Sequence, residues 1–69
     1  MKLSARNQLA GKITSIEEGL ITAKVKIKLG GGEILTSIIS KESVVELGLK
    51  KGDEVLAVIK STEVMIAKP

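Results

Sequence analysis

From Ile21 to Leu29 the chain alternates without a break, with Ile21, Ala23, Val25, Ile27 and Leu29 on one face and Thr22, Lys24, Lys26 and Lys28 on the other. A period of two marks a strand buried on one side only. Such a strand needs a core, and the material for one is restricted. The 69 residues contain no Phe, Tyr or Trp, so the interior is left to Ile, Leu, Val, Ala and Met, which bury less area per side chain than aromatics do. A domain of this size buries only about 60% of the surface its unfolded chain exposes. Disulfides, a structural metal or oligomerisation are the usual remedies. With no Cys and no His, the first two drop out, and so do thiolate zinc sites and Cys or His nucleophiles. Self-association is what remains.

The neighbouring segments extend the β reading. Leu9 to Ile16 is a β-compatible run, and Glu17-Glu18-Gly19 supplies a turn that makes it a hairpin with the alternating strand. Gly30-Gly31-Gly32 reads as a tight reversal into a third strand, Glu33 to Ile39. A phosphate-binding glycine loop would open a helix, whereas this one opens a β-branched run. Ser40 to Leu47 has the pattern of a short helix, with Ser40 placed to cap it, Val44 and Leu47 at i, i+3 spacing and Gly48 as the stop. After the Lys51-Gly52-Asp53 turn come two further strands, Glu54 to Lys60 and Glu63 to Ala67. Only Ser61-Thr62 separates them, so they pair tightly or form one bent strand. The expected fold is all-β: an OB-like five-stranded barrel with one short helix between strands 3 and 4, in a single domain over residues 1–69.

Eleven Lys and Arg against eight acidic residues give a net charge of +3, which favours an anionic partner without naming one. No apolar run approaches the ~20 residues of a membrane span, and the N-terminus lacks a signal-peptide pattern, so a soluble cytoplasmic protein is expected. Catalysis is not: the carboxylates fall in turns, at the helix or on polar strand faces, and no hydroxyl has a partner base. The alternative is a small basic OB-like nucleic-acid-binding module. Domains of that kind stack bases on aromatic side chains, absent here, and the chain has a single Arg to stack in their place. Lys24, Lys26 and Lys28 could contact phosphates, but a solvated strand face explains them as well.

Two polar segments interrupt the apolar pattern. Ser4-Ala5-Arg6-Asn7-Gln8 sets the only Arg among a hydroxyl and two amides, and Lys60-Ser61-Thr62 sets an ammonium beside two hydroxyls. Taken singly, Ser4 also fits a fraying terminus, Arg6 a surface cation and Ser61-Thr62 a turn. Their order is more specific. Ser4-Ala5-Arg6-Asn7-Gln8 with Gly11, Ser15-Ile16-Glu17-Glu18-Gly19-Leu20, Thr36-Ser37-Ile38-Ile39, Glu46-Leu47-Gly48-Leu49, Gly52 and Val58-Ile59-Lys60-Ser61-Thr62 span nearly the whole chain. In this arrangement the sequence resembles the Mop proteins, or molbindins, small bacterial binders of molybdate and tungstate. Their unit also occurs as the TOBE-type domain of molybdate-responsive regulators and transporter ATPases.

The resemblance implies an OB-like fold, assembly as a homo-hexamer built from three dimers, and oxyanion sites between subunits. It implies oxyanion-binding roles for Ser4, Ala5 and Arg6, for Lys60 and Ser61, and for Ser40, which stands where Thr is as common. Ser40 is thereby claimed both as ligand and as helix cap. No catalytic residue, no cofactor and no direct metal ligand is implied, since molybdenum is carried as its oxyanion. A unit with no attached DNA-binding or ATPase domain points to storage or buffering.

The residue types suit that ion. Molybdate at neutral pH is a fully deprotonated tetrahedral dianion, so its oxygens accept hydrogen bonds and donate none. Arg6, Lys60, the Ser4, Ser40 and Ser61 hydroxyls and nearby N–H groups are all donors, and neither segment contains a carboxylate. Hydrogen phosphate would bring a proton with no acceptor, at a cost of about 1–3 kcal/mol. Sulfate is excluded only by size, which demands a rigid cavity held by more than one chain. Tungstate matches in size and charge.

Overall fold

The computed structural model describes residues 1–69. Strand β1 runs Asn7–Glu18, β2 Thr22–Leu29 and β3 Ile34–Ser40; helix α1, Lys41–Leu47, follows directly, and β4 is Glu54–Ile59. The sheet order is β3-β2-β1-β4, every neighbouring pair antiparallel. The architecture is mostly β, four strands in a curled, OB-like half-barrel with one short helix.

The fifth strand expected at Glu63 to Ala67 is not formed. Ser61–Glu63 is a single 3-10 turn, closed by Glu63 N–H donating to Lys60 C=O at 2.9 Å, and no strand follows it. A two-residue return onto β4 would need positive φ in its loop, which Gly or Asn supplies and Ser61-Thr62 does not. The chain instead leaves the sheet, and Met65 and Ile66 are each 93% exposed.

The first hairpin differs from expectation in its turn. Glu17 and Glu18 belong to β1, where Glu17 faces Lys24 across the ladder, a favourable opposite-charge pair. The reversal occupies residues 19–21, with Gly19 N–H donating to Thr22 C=O at 2.8 Å. Ile21 therefore precedes β2 and stands exposed, leaving Ala23, Val25 and Ile27 as the buried face.

A bulge makes β1 amphipathic along its whole length. Register shifts between Ile13 and Ser15, and the extra residue, Thr14, donates its hydroxyl to Lys26 C=O at 3.3 Å. Ile13 and Ile16 lie three apart, so strict alternation would send them to opposite faces. The bulge sets both inward, opposite Ile27 and Val25. The core is Ile13, Ala23, Val25, Ile27, Val44 and Ala57, the helix contributing Val44 alone while Leu47 stays exposed.

Gly11 marks where strands approach too closely for a side chain. A Cβ there would lie 2.8 Å from the Lys28 carbonyl oxygen and press on Ile27. Gly11→Ala is expected to lose about 1–3 kcal/mol through overpacking, lowering Tm by roughly 5–20 °C in a domain of this size. A melting curve within 2 °C of the parent (~0.5 kcal/mol or less) would show that β2 yields freely. Gly48 ends α1 in the left-handed conformation at φ 62°, its N–H donating to Val45 C=O at 3.0 Å.

Candidate functional site

The β1–β4 ladder places the two polar segments together. Asn7 is in register with Ile59, so Arg6 and Lys60 are the next residues outward on adjacent antiparallel strands, at one end of the sheet. Asn7 fastens that end, its side-chain amide donating to Ile59 C=O at 3.3 Å. Ala5 C=O accepts from the Gln8 side chain at 3.3 Å, which folds the leading segment over the strand start. Arg6, Lys60, Ser4 and Ser61 are exposed and Ala5 is half-buried. None of the Ser4, Ala5 or Arg6 N–H groups is among the donors of the turn and loop hydrogen bonds. One chain thus presents a guanidinium, an ammonium and two hydroxyls at a single corner.

Ser40 lies elsewhere. It pairs with Thr22 at the end of β3, beside the far end of β1, where Glu18 faces Ala23. The twelve residues of β1 separate the Asn7 end from this end by something on the order of 30 Å. No side chain reaches across that distance, so a single chain does not bring Ser40 to Arg6 and Lys60.

The local chemistry of Ser40 defines what it can give. Its oxygen accepts from Ser43 N–H at 3.0 Å and its hydroxyl donates to the Ser43 hydroxyl at 2.8 Å. Capping therefore consumes a lone pair, and the proton is held only by another exchangeable hydroxyl. An oxyanion could take that proton by rotation about the Cβ–Oγ bond while the cap stays intact, so the two roles are compatible. Ser40→Ala is expected to lower the stability of the ligand-free protein by about 1 kcal/mol through the lost cap. Ser43→Ala keeps the backbone cap bond and is expected to change it by less. Equal losses on thermal denaturation would mean that the Ser40–Ser43 hydroxyl pair, rather than the cap, carries the effect.

The sequence and the fold are similar to those of other proteins. Residues 3–66 match the TOBE domain model. Molybdenum-pterin-binding protein 1 of Clostridium pasteurianum is 58% identical over 66 residues, covering 96% of this chain and 97% of the relative. The chain is a TOBE domain of the Mop family. Its fold superposes on MopII from Clostridium pasteurianum with a TM-score of 0.92 at 52% identity, over 97% of this chain and 100% of that one. A molybdate-binding protein from Sporomusa ovata gives a TM-score of 0.94 at 37% identity, over 99% of this chain and 100% of that one.

Two residues that shape the candidate positions of this TOBE domain, one at each end of the sheet, are not apparent from charge patterning. Asn7 acts by tying β1 to β4, and Ser43 by holding the Ser40 proton; a hydroxyl three residues after a capping serine was the available signal for the second. The outer sheet face also gains a lysine. Lys12 stands directly opposite Lys28, so the basic ridge of Lys24, Lys26 and Lys28 is wider than one strand, though Glu17 and Glu54 face Lys24 and Lys12. No group of three or more Asp or Glu is arranged to hold a metal ion, and no helix is long and apolar enough to cross a membrane.

Proposed function

We propose that this TOBE domain binds molybdate, and tungstate equally, at interfaces between copies of itself, as an intracellular store or buffer. The observation that carries the reading is the donor-only corner at the start of β1 and the end of β4. Arg6 and Lys60 supply two positive charges against a dianion, which is what makes burial of that charge at an interface tolerable. Ser4 and Ser61 supply hydroxyl protons, and the N–H groups of Ala5 and Arg6 lie outside the ladder. The likeness to proteins described as molybdate-binding and molybdenum-pterin-binding supports the same ligand.

The separation of Ser40 supports an interface site. A hydroxyl held at the far end of the sheet in one chain can complete the pocket only from another chain. Closed assembly by three dimers into a homo-hexamer satisfies this for every copy, and it adds buried surface to a chain whose own core is six residues. Nothing in the pocket can act as a general base, so the ion leaves as it arrived. That suits retention and release in the cytoplasm rather than turnover.

Equilibrium dialysis with metal analysis tests the reading. Molybdate is expected to be retained at micromolar concentrations and to be displaced by tungstate but not by sulfate or phosphate. Absence of retention would end the proposal, and displacement by phosphate would remove the donor-only pocket as its basis.

A further inference from the structure

Molybdate and sulfate are both tetrahedral dianions without a proton, so a site can separate them by size only if its donors are kept from closing in on the smaller ion. The backbone alone gives the Arg6–Lys60 corner little of that stiffness. β4 is an edge strand with β1 as its one neighbour, and the last rung of the β1–β4 ladder is Asn7 opposite Ile59. Arg6 and Lys60 stand one residue beyond that rung, and both are exposed.

Two side-chain amides brace what the ladder leaves. The Asn7 amide donates to Ile59 C=O at 3.3 Å, and the Gln8 amide donates to Ala5 C=O at 3.3 Å. Each acceptor belongs to the peptide group that leads into a charged residue: Ile59 C=O shares its plane with the Lys60 nitrogen, and Ala5 C=O with the Arg6 nitrogen. Because the peptide is planar, a hydrogen bond to its carbonyl also orients its N–H and the departure of the next Cα. The Asn7 bond crosses from the first polar segment to the second, 52 residues apart. Both amides point their donors at backbone, so their part in the corner is to fix its frame.

We infer that Asn7 and Gln8 are the positioning residues that set molybdate apart from sulfate, Asn7 by fixing the Lys60 segment and Gln8 by fixing the Arg6 segment. A braced corner holds its donors at the spacing of the larger ion and leaves the shorter S–O bonds of sulfate out of reach of some of them. A loosened corner loses preorganisation for molybdate and closes more readily on sulfate. The inference rests on the proposed oxyanion site for its ligand, whereas the bracing itself is read from the two hydrogen bonds.

The test compares the parent with Asn7→Ala, Gln8→Ala and a matched control, Thr14→Val, which removes another side-chain-to-carbonyl bond of 3.3 Å at the β1 bulge. Backbone amide order parameters are measured first, on ligand-free protein. Asn7→Ala is expected to lower them at Lys60 and Ser61 from about 0.85 toward about 0.6. Gln8→Ala is expected to do the same at Ala5 and Arg6, and Thr14→Val at neither place. Equal values in all four proteins would overturn the inference. Competition dialysis then gives the ratio of the sulfate to the molybdate dissociation constant. That ratio is expected to fall by about tenfold or more in Asn7→Ala, and by less in Gln8→Ala, whose amide side chain is exposed. A ratio within twofold of the parent in Asn7→Ala, with both ions weakened together, would make Asn7 a direct ligand and end its positioning role. An equal fall in Thr14→Val would tie discrimination to general stability and overturn the inference as well. A parent that retains no molybdate, beside the expected loss of order in the variants, would sink the oxyanion site alone and leave the bracing standing.

Discussion

Replacing Arg6 with alanine is expected to weaken molybdate binding by roughly 10- to 100-fold while leaving the melting temperature of the ligand-free protein nearly unchanged. The two halves of the result have separate causes. Arg6 lies outside β1 and is exposed in the single chain, so its removal takes nothing from the core. In the complex its guanidinium would meet a dianion in a site closed by a second copy, and hydrogen bonds to charged groups contribute about 1.5–3 kcal/mol each, with every 1.4 kcal/mol worth a factor of ten. Arg6→Lys keeps the charge but loses the planar fork, and an intermediate loss is expected. Dialysis of the three proteins in parallel decides it. Affinity within twofold of the parent for Arg6→Ala would place the anion elsewhere, and a large drop in stability of the ligand-free variant would recast Arg6 as a structural residue.

How far such residues are legible from sequence depends on whether their role is local. The inward face of β2 follows from alternation alone, because Ala23, Val25 and Ile27 need only a strand and a core. Ser40 as a cap follows from a hydroxyl before a helical pattern. The Arg6–Lys60 corner was reachable from the chain's likeness to a known family, and the β1–β4 register supplies its physical reason. Three features were not legible. The bulge at Thr14 leaves only a weak trace, the three-residue spacing of Ile13 and Ile16, which a shifted strand boundary would explain as readily. Glu17 and Glu18 read as turn residues because charge clusters usually punctuate strands, whereas the β1–β2 ladder continues through Glu17 opposite Lys24 and Glu18 opposite Ala23 and keeps both in β1. The segment Glu63 to Ala67 carries strand chemistry without a strand, since Val64, Met65 and Ile66 have β-compatible side chains and the single chain offers no geometry for pairing them. Local propensity identifies what that segment could do, and the 3-10 turn at Ser61–Glu63 carries it off the sheet before it can pair.

The last expected result concerns the interior of the chain itself, for Ile13→Ala. Ile13 is 1% exposed, the largest fully buried side chain, and it packs at the centre of the sheet, opposite Ile27 on β2. Its backbone fixes the turn before β4 as well: Ile13 N–H donates to Asp53 C=O at 2.9 Å, and Ile13 C=O accepts from Gly52 N–H at 2.8 Å. Truncation to alanine removes three carbons from a core of six residues that holds no aromatic ring to relax into the space. A loss of about 2–5 kcal/mol is expected, or roughly 10–30 °C in Tm for a domain of this length, which is a large part of the stability of any small domain. Molybdate should restore some of it. A ligand that binds only the folded assembly contributes about 2.7 kcal/mol at one hundred times its dissociation constant, so differential scanning calorimetry of Ile13→Ala is expected to show a rise in Tm with molybdate and none with equimolar sulfate. A variant that melts with the parent would mean that the interior is not organised around Ile13. A variant destabilised as expected but indifferent to molybdate would separate the fold, which would stand, from the bridging site, which would not.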